Sequence, residues 1–118
     1  MQKTIISPSI LAADILNISS EIKSIQNAGA DWVHVDVMDG HFVPNLSFGL
    51  PLIKAIKKNH EIFVDVHIMI SNPDQMALQY VDAGADLVTF HVEAVTHAPR
   101  LIDEIKAKGA LAGVSLNP

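Results

Sequence analysis

Apolar, β-branched runs alternate with helical patterns along the whole of this chain, and that alternation is the strongest constraint on its fold. The runs cover residues 4–10, 32–38, 62–69, 87–92 and 111–116. Between them the apolar residues fall at helical spacing. The first helical stretch carries Ile15, Ile18, Ile22 and Ile25, with Gly29 just past its end. The second opens at Pro51 and carries Leu52, Ile53 and Ile56. The third opens on Asn72 as a cap, with Pro73 at the first helical position, and stops at Gly84. The fourth holds Leu101, Ile102 and Ile105 and stops at Gly109. Proline in the first turn and glycine after the last is the usual helix asymmetry. Strands with few polar breaks, separated by helices, predict right-handed βαβ crossovers and a parallel sheet.

The tetrapeptide Ala-Gly-Ala-Asp occurs twice, at 28–31 and 83–86, two βα units apart. In each copy the glycine ends a helix. The aspartate, Asp31 or Asp86, leads into a strand and is expected to cap the turn. Four such doublets give about 220 residues, inside the size range of an eightfold βα barrel. The 118 residues therefore read as a single domain. That domain is the N-terminal half of a TIM (β/α)8 barrel, the first four βα units plus strand five, cut short after Pro118. A five-stranded open α/β domain is the alternative pattern. A half-barrel leaves an open edge at each end of its sheet, so self-association is expected. Its inward face would present Ile5, Val35, Val64, Val66, Val88 or their neighbours, depending on strand phase.

Each run turns polar late, and βα barrels place their active sites at the C-terminal ends of the strands. The first run gives Ser7 and Ser9, the second His34 and Asp36, the third Asp65 and His67. The fourth gives Thr89, His91 and Glu93, and the fifth Ser115 and Asn117. A spacing of two puts each set on one face. Polar groups at this density cost free energy unless bonded or used. Two imidazoles and a carboxylate at matching heights on adjacent strands point to a divalent metal. Histidine and carboxylate without thiolate fit zinc, manganese, iron or cobalt with an open position. His34, Asp36 and His67 form one such set. His91 and Glu93 form an equally good pair by spacing, so periodicity does not choose between them. Asp65 comes one step earlier and reads as structural. Asp39 reads as the cap of the turn at Gly40. Met38 and Met69 share the polar face, where they would be soft apolar walls. His41, His60 and His97 fall in loops or helix ends and read as solvated.

The formal net charge is −5 and no cluster of Lys and Arg exists, which weighs against nucleic acid and anionic membranes as partners. Without cysteine there is no disulfide framework and no thiolate metal site, which is compatible with the cytoplasm. No stretch approaches the about 20 apolar residues of a membrane span, and the N-terminus lacks a signal-peptide pattern.

Several segments together resemble the ribulose-phosphate 3-epimerase family, essentially from end to end of the chain. They are PSILAAD at 8–14, HVDVMDGHFVPN at 34–45, DVHIM at 65–69, both Ala-Gly-Ala-Asp copies, and GVSLNP at 113–118. The resemblance implies a TIM barrel of the ribulose-phosphate-binding type. It implies an isomerase that converts D-ribulose 5-phosphate reversibly to D-xylulose 5-phosphate in the pentose phosphate pathway, through an enediolate. It implies one divalent metal ion held by His34, Asp36 and His67, with zinc the first choice and iron, manganese or cobalt the others. Asp36 is implied as one acid/base, and Ser9, His67, Met38 and Met69 as substrate contacts. The family does not use His91 and Glu93 as metal ligands. Its fourth ligand is a second aspartate that is also the partner acid/base. These residues contain no counterpart of it, nor of the family's glycine-rich phosphate loops, so the chain alone is expected to be inactive. The implied partners are a small sugar phosphate and further copies of the chain, and the implied location is the cytoplasm.

The residue types suit that chemistry. Epimerisation beside a ketone removes a C–H proton and returns it to the opposite face, a task for two carboxylates flanking the carbon. D-Allulose-6-phosphate 3-epimerase shares the metal face and is the alternative activity. An inactive, self-associating half-barrel is the alternative outside enzymes. A Schiff-base aldolase would need a lysine at a strand end, and every lysine here lies at the N-terminus or on a helical stretch.

Overall fold

The computed structural model describes residues 2–118. Four parallel strands lie side by side in chain order: β1 (Trp32–Met38), β2 (Phe63–Met69), β3 (Leu87–His91) and β4 (Leu111–Ser115). Helices α1 (Ile18–Asn27), α2 (Leu50–Asn59), α3 (Pro73–Ala83) and α4 (Ala98–Ala107) alternate with them. Strand order that follows chain order is barrel order. A doubly wound open sheet would reverse direction at a switch point. The architecture is α/β with four parallel βα units, consistent with part of a TIM barrel.

The residues 4–10 run departs from expectation. It lies extended beside β1 but forms no ladder, only a parallel bridge between Ser9 and His34. Trp32 N–H bonds to Ile6 O at 3.1 Å, His34 N–H to Pro8 O at 2.8 Å, and Ile10 N–H to His34 O at 3.0 Å. The donor missing from this series is that of Pro8, which has no N–H to give. The segment is therefore held at the right place without being a strand. Two other boundaries also move. β3 ends at His91, and Glu93 sits in a short 3-10 turn at Val92–Ala94 rather than on the strand. β4 ends at Ser115, so Asn117 lies beyond it.

Burial settles the strand phase. Val33, Val35, Val37, Val64, Val66, Ile68, Val88 and Phe90 are buried on the helix side. They pack with Ile22, Ile53, Ile56, Tyr80, Leu101 and Ile105 from the helices. Complete burial of each aliphatic side chain stabilises by about 1.5–3 kcal/mol. Val35, Val64, Val66 and Val88 are thus not on the inward face. Their neighbours are: Trp32, His34, Asp36 and Met38 on β1, and Phe63, Asp65, His67 and Met69 on β2.

The repeated tetrapeptide has a physical reading. Gly29 and Gly84 end their helices at φ 98° and 118°, a region that L side chains adopt at a cost. The aspartates that follow do not cap these turns as expected. Asp31 accepts the Ile6 N–H at 3.0 Å and the Lys3 ammonium at 2.6 Å. Asp86 accepts the Val64 N–H and the Lys57 ammonium, both at 2.8 Å. Each carboxylate ties the start of its own strand to the start of the segment before it. Asn72 also differs from expectation, since its side chain makes no cap bond to α3. No helix among the described residues is long and apolar enough to cross a membrane.

Candidate metal and active site

The parallel register brings the polar positions of β1 and β2 level with one another. His34 pairs with Asp65, Asp36 with His67, and Met38 with Met69. The Ser9 bridge to His34 adds the N-terminal segment at the same height. Asp36 is the centre of the group. Its Oδ1 lies 3.1 Å from His34 Nε2 and 3.4 Å from His67 Nδ1. Its Oδ2 accepts the Ser9 hydroxyl at 2.5 Å.

The ring of His34 is oriented from behind. Its Nδ1 is 2.7 Å from Asp65 Oδ2, which also accepts the Ser7 hydroxyl at 2.9 Å. With Nδ1–H given to Asp65, Nε2 keeps its lone pair for the site. The Asp65 hydrogen bond raises the His34 pKa above the ordinary imidazole value. Burial lowers that of His67, and the neighbouring His91 adds to the effect. One donor atom each from His34, Asp36 and His67 lie within 4.8 Å of one another. Two neutral imidazole nitrogens and a carboxylate oxygen that close, with one ring oriented by a carboxylate, fit a single divalent ion with open positions. The cluster could hold a metal ion. Met38 and Met69 are half-buried on the same face, one step further along the strands.

Other sequence-selected residues fall outside this group. His91 does not approach Asp36; its ring meets His67 instead, with the two Nε2 atoms 2.8 Å apart. Asp39 caps the turn as expected, accepting the N–H groups of His41 at 2.8 Å and Phe42 at 2.9 Å. It also accepts the Ser71 N–H at 2.8 Å, tying the loop after β1 to the loop after β2. Burial pushes its carboxyl up, but those N–H groups outweigh burial and hold its pKa at about 2. His41 and His97 are exposed as expected, whereas His60 is half-buried, and each ring makes a local hydrogen bond, His41 Nδ1 lying 3.0 Å from the Asp39 carbonyl. His60 Nε2 is 2.9 Å from the Ser19 hydroxyl, and His97 Nδ1 accepts the Arg100 N–H at 3.2 Å as the cap of α4.

Two residues, Ser47 and Phe42, escaped sequence reasoning, and a third, Asp65, takes a more definite role than the structural one expected of it. Ser47 bonds to the Asp36 carbonyl at 2.5 Å and accepts the Met38 N–H at 2.9 Å, folding the loop after β1 back onto the strand. Phe42, from that loop, packs its ring 4.9 Å from the ring of His91. Asp65 proves to be the residue that orients His34. Its place on the same face as His67 was the available signal.

Residues 5–118 match the ribulose-phosphate 3 epimerase family. The chain belongs to that family. A ribulose-phosphate 3-epimerase from Rhodobacter capsulatus is 52% identical over 113 residues, covering 96% of this chain and 50% of the relative. One from Bacillus subtilis (strain 168) is 45% identical over 113 residues, covering 96% and 52%. The chloroplastic ribulose-5-phosphate-3-epimerase of Arabidopsis thaliana is 44% identical over 116 residues, covering 97% and 41%. The chain spans about half the length of the epimerases it matches.

Proposed function

We propose that this chain carries the metal-binding half, with the first acid/base, of an epimerase that interconverts D-ribulose 5-phosphate and D-xylulose 5-phosphate at C3. The observation that supports this best is the convergence of His34, Asp36 and His67 donor atoms on one point at the polar end of the sheet. These three residues would hold one divalent ion, zinc by preference. Such an ion would act as a Lewis acid on the substrate oxygens, stabilising the negative charge of an enediolate by several kcal/mol.

The chain's own residues have separate tasks. Asp36 takes the C3 proton, and its Oδ2 is kept in place by the Ser9 hydroxyl. Ser9 and His67 border the sugar. Met38 and Met69 present apolar surface beside the reacting carbon and keep water from it. The second acid/base and the phosphate anchor are not among these residues, so the 118-residue chain by itself is catalytically inactive. The relatives above are named as ribulose-phosphate epimerases, which favours the pentose over the hexose phosphate. The cysteine-free composition suits a cytoplasmic setting.

A chimera tests this reading. The C-terminal half of the Bacillus subtilis relative is joined after Pro118, and epimerase turnover of ribulose 5-phosphate is measured for the chimera and for the 118-residue chain. Turnover by the chimera alone supports the proposal. A folded, metal-loaded chimera without turnover contradicts it.

A further inference from the structure

His91 is the one buried histidine among the described residues, 5% exposed, and the site described above gives it no task. We infer that His91, backed by Glu93, is a positioning residue that fixes the proton and the rotation of the His67 ring. The inference rests on the metal reading of the site.

His67 presents Nδ1 to Asp36 Oδ1 at 3.4 Å and Nε2 to His91 Nε2 at 2.8 Å. A neutral imidazole carries one proton. If Nδ1 keeps its lone pair for a metal ion, the proton sits on Nε2, and His91 Nε2 is the atom placed to accept it. His91 must then carry its own proton on Nδ1. That nitrogen is buried and has no hydrogen-bond partner. A carboxylate oxygen of Glu93, Oε2, lies 3.4 Å from it. The other oxygen of Glu93 accepts the Asn117 N–H, which anchors the carboxylate. One proton arrangement therefore suits the whole series: His67 Nε2–H donates to His91 Nε2, and His91 Nδ1–H faces the Glu93 carboxylate, its nearest acceptor, without a formed hydrogen bond. It parallels the arrangement at His34, where Asp65 accepts the proton directly. Packing holds the series in line. The His67 and His91 rings lie edge to edge and nearly coplanar, 20° apart with centroids 4.9 Å from one another, and Phe42 tilts against the His91 ring at 4.9 Å.

The test is Co2+ binding to the 118-residue chain, followed by visible absorption, for the parent, His91→Phe and His91→Gln. Thermal melting reports folding of each. Phenylalanine keeps the ring and removes the acceptor, whereas glutamine restores an acceptor oxygen. The expected result is one Co2+ per chain throughout, with affinity about 10–100-fold lower in His91→Phe, the range for groups that orient metal-bound histidines. His91→Gln should recover most of the loss. Equal affinity in parent and His91→Phe overturns the inference and leaves the metal reading intact. Complete loss of binding by a folded His91→Phe also overturns it, because His91 would then be a ligand. A parent that takes up no Co2+ overturns the metal reading and this inference together. If His91→Phe does not fold, 15N NMR of the parent decides. A proton on His91 Nδ1 supports the inference, and a proton on its Nε2 contradicts it.

Discussion

Asp36 and His67 face each other as register partners across the β1–β2 ladder, and the Asp36 oxygen that lies 3.4 Å from His67 Nδ1 also lies 3.1 Å from His34 Nε2. One carboxylate oxygen thus meets an imidazole from its own strand and another from the next. Strand register, not loop conformation, sets this geometry.

Metal content should follow from it. His67→Ala removes one of the three donors and should lower the metal retained after dialysis at least several-fold. His91→Ala, at saturating metal, should keep one ion per chain. Elemental analysis of both variants beside the parent checks this. Equal metal in the parent and His67→Ala would sink the ligand assignment.

The Asp39 clamp should show in the acid range. Its carboxyl has a pKa of about 2, against an ordinary value of 3.8. A depressed carboxylate stabilises the folded state above its unfolded pKa. That contribution fades as pH falls through 3.8 and is gone below about 2. Asp39→Asn cannot titrate, so its stability should change less between pH 5 and pH 2. Urea unfolding at several pH values across that range measures the difference. Parallel pH profiles for parent and variant would contradict the clamp.

The two repeated turns should differ in their tolerance of a side chain. Both glycines have positive φ, and a left-handed conformation costs an alanine about 1–2 kcal/mol. A Cβ at Gly29 would meet nothing within 4 Å, whereas at Gly84 it would lie 2.4 Å from Lys57 Cγ. Gly84→Ala should therefore lower the melting temperature more than Gly29→Ala. Truncation by Lys57→Ala should narrow the gap, and two equal losses would show that the lysine contact is irrelevant.

Much of this architecture was legible in the sequence. Period-two alternation placed His34 with Asp36, and Asp65 with His67, because strand geometry is local. The glycines of the repeat marked both helix ends for the same reason. The residues 4–10 run reads as a strand but forms none, because its apolar pattern is strand-like until the one missing N–H, that of Pro8, is counted against a particular neighbour. Asp31 and Asp86 were misread as turn caps because their partners, Ile6 and Val64, are more than 20 residues away in the chain. His91 and His34 had equal claims by spacing. Only the register and the short β3 show that Glu93 leaves the strand and that His91 turns to His67.

Self-association should mark the isolated chain. The β4 side exposes Leu111 at 52% and Leu116 at 74%, and the N-terminal segment exposes Ile5 at 45% and Ile6 at 53%. Apolar surface beside an unpaired strand favours edge-to-edge pairing. Light scattering on the purified 118-residue chain should give a mass well above the 12.8 kDa of a single copy. A soluble monomer across the micromolar range would refute this.

Proton movement by Asp36 is the centre of the account. The decisive measurement is exchange of the C3 hydrogen of ribulose 5-phosphate in deuterated solvent. It compares the chimera that continues after Pro118 with its Asp36→Asn variant, and metal is quantified in the same samples. The account predicts rapid deuterium incorporation by the parent chimera and at least a 1000-fold loss, on the order expected for removing a general base, in Asp36→Asn. Exchange at the parent rate by a metal-loaded Asp36→Asn chimera would contradict it.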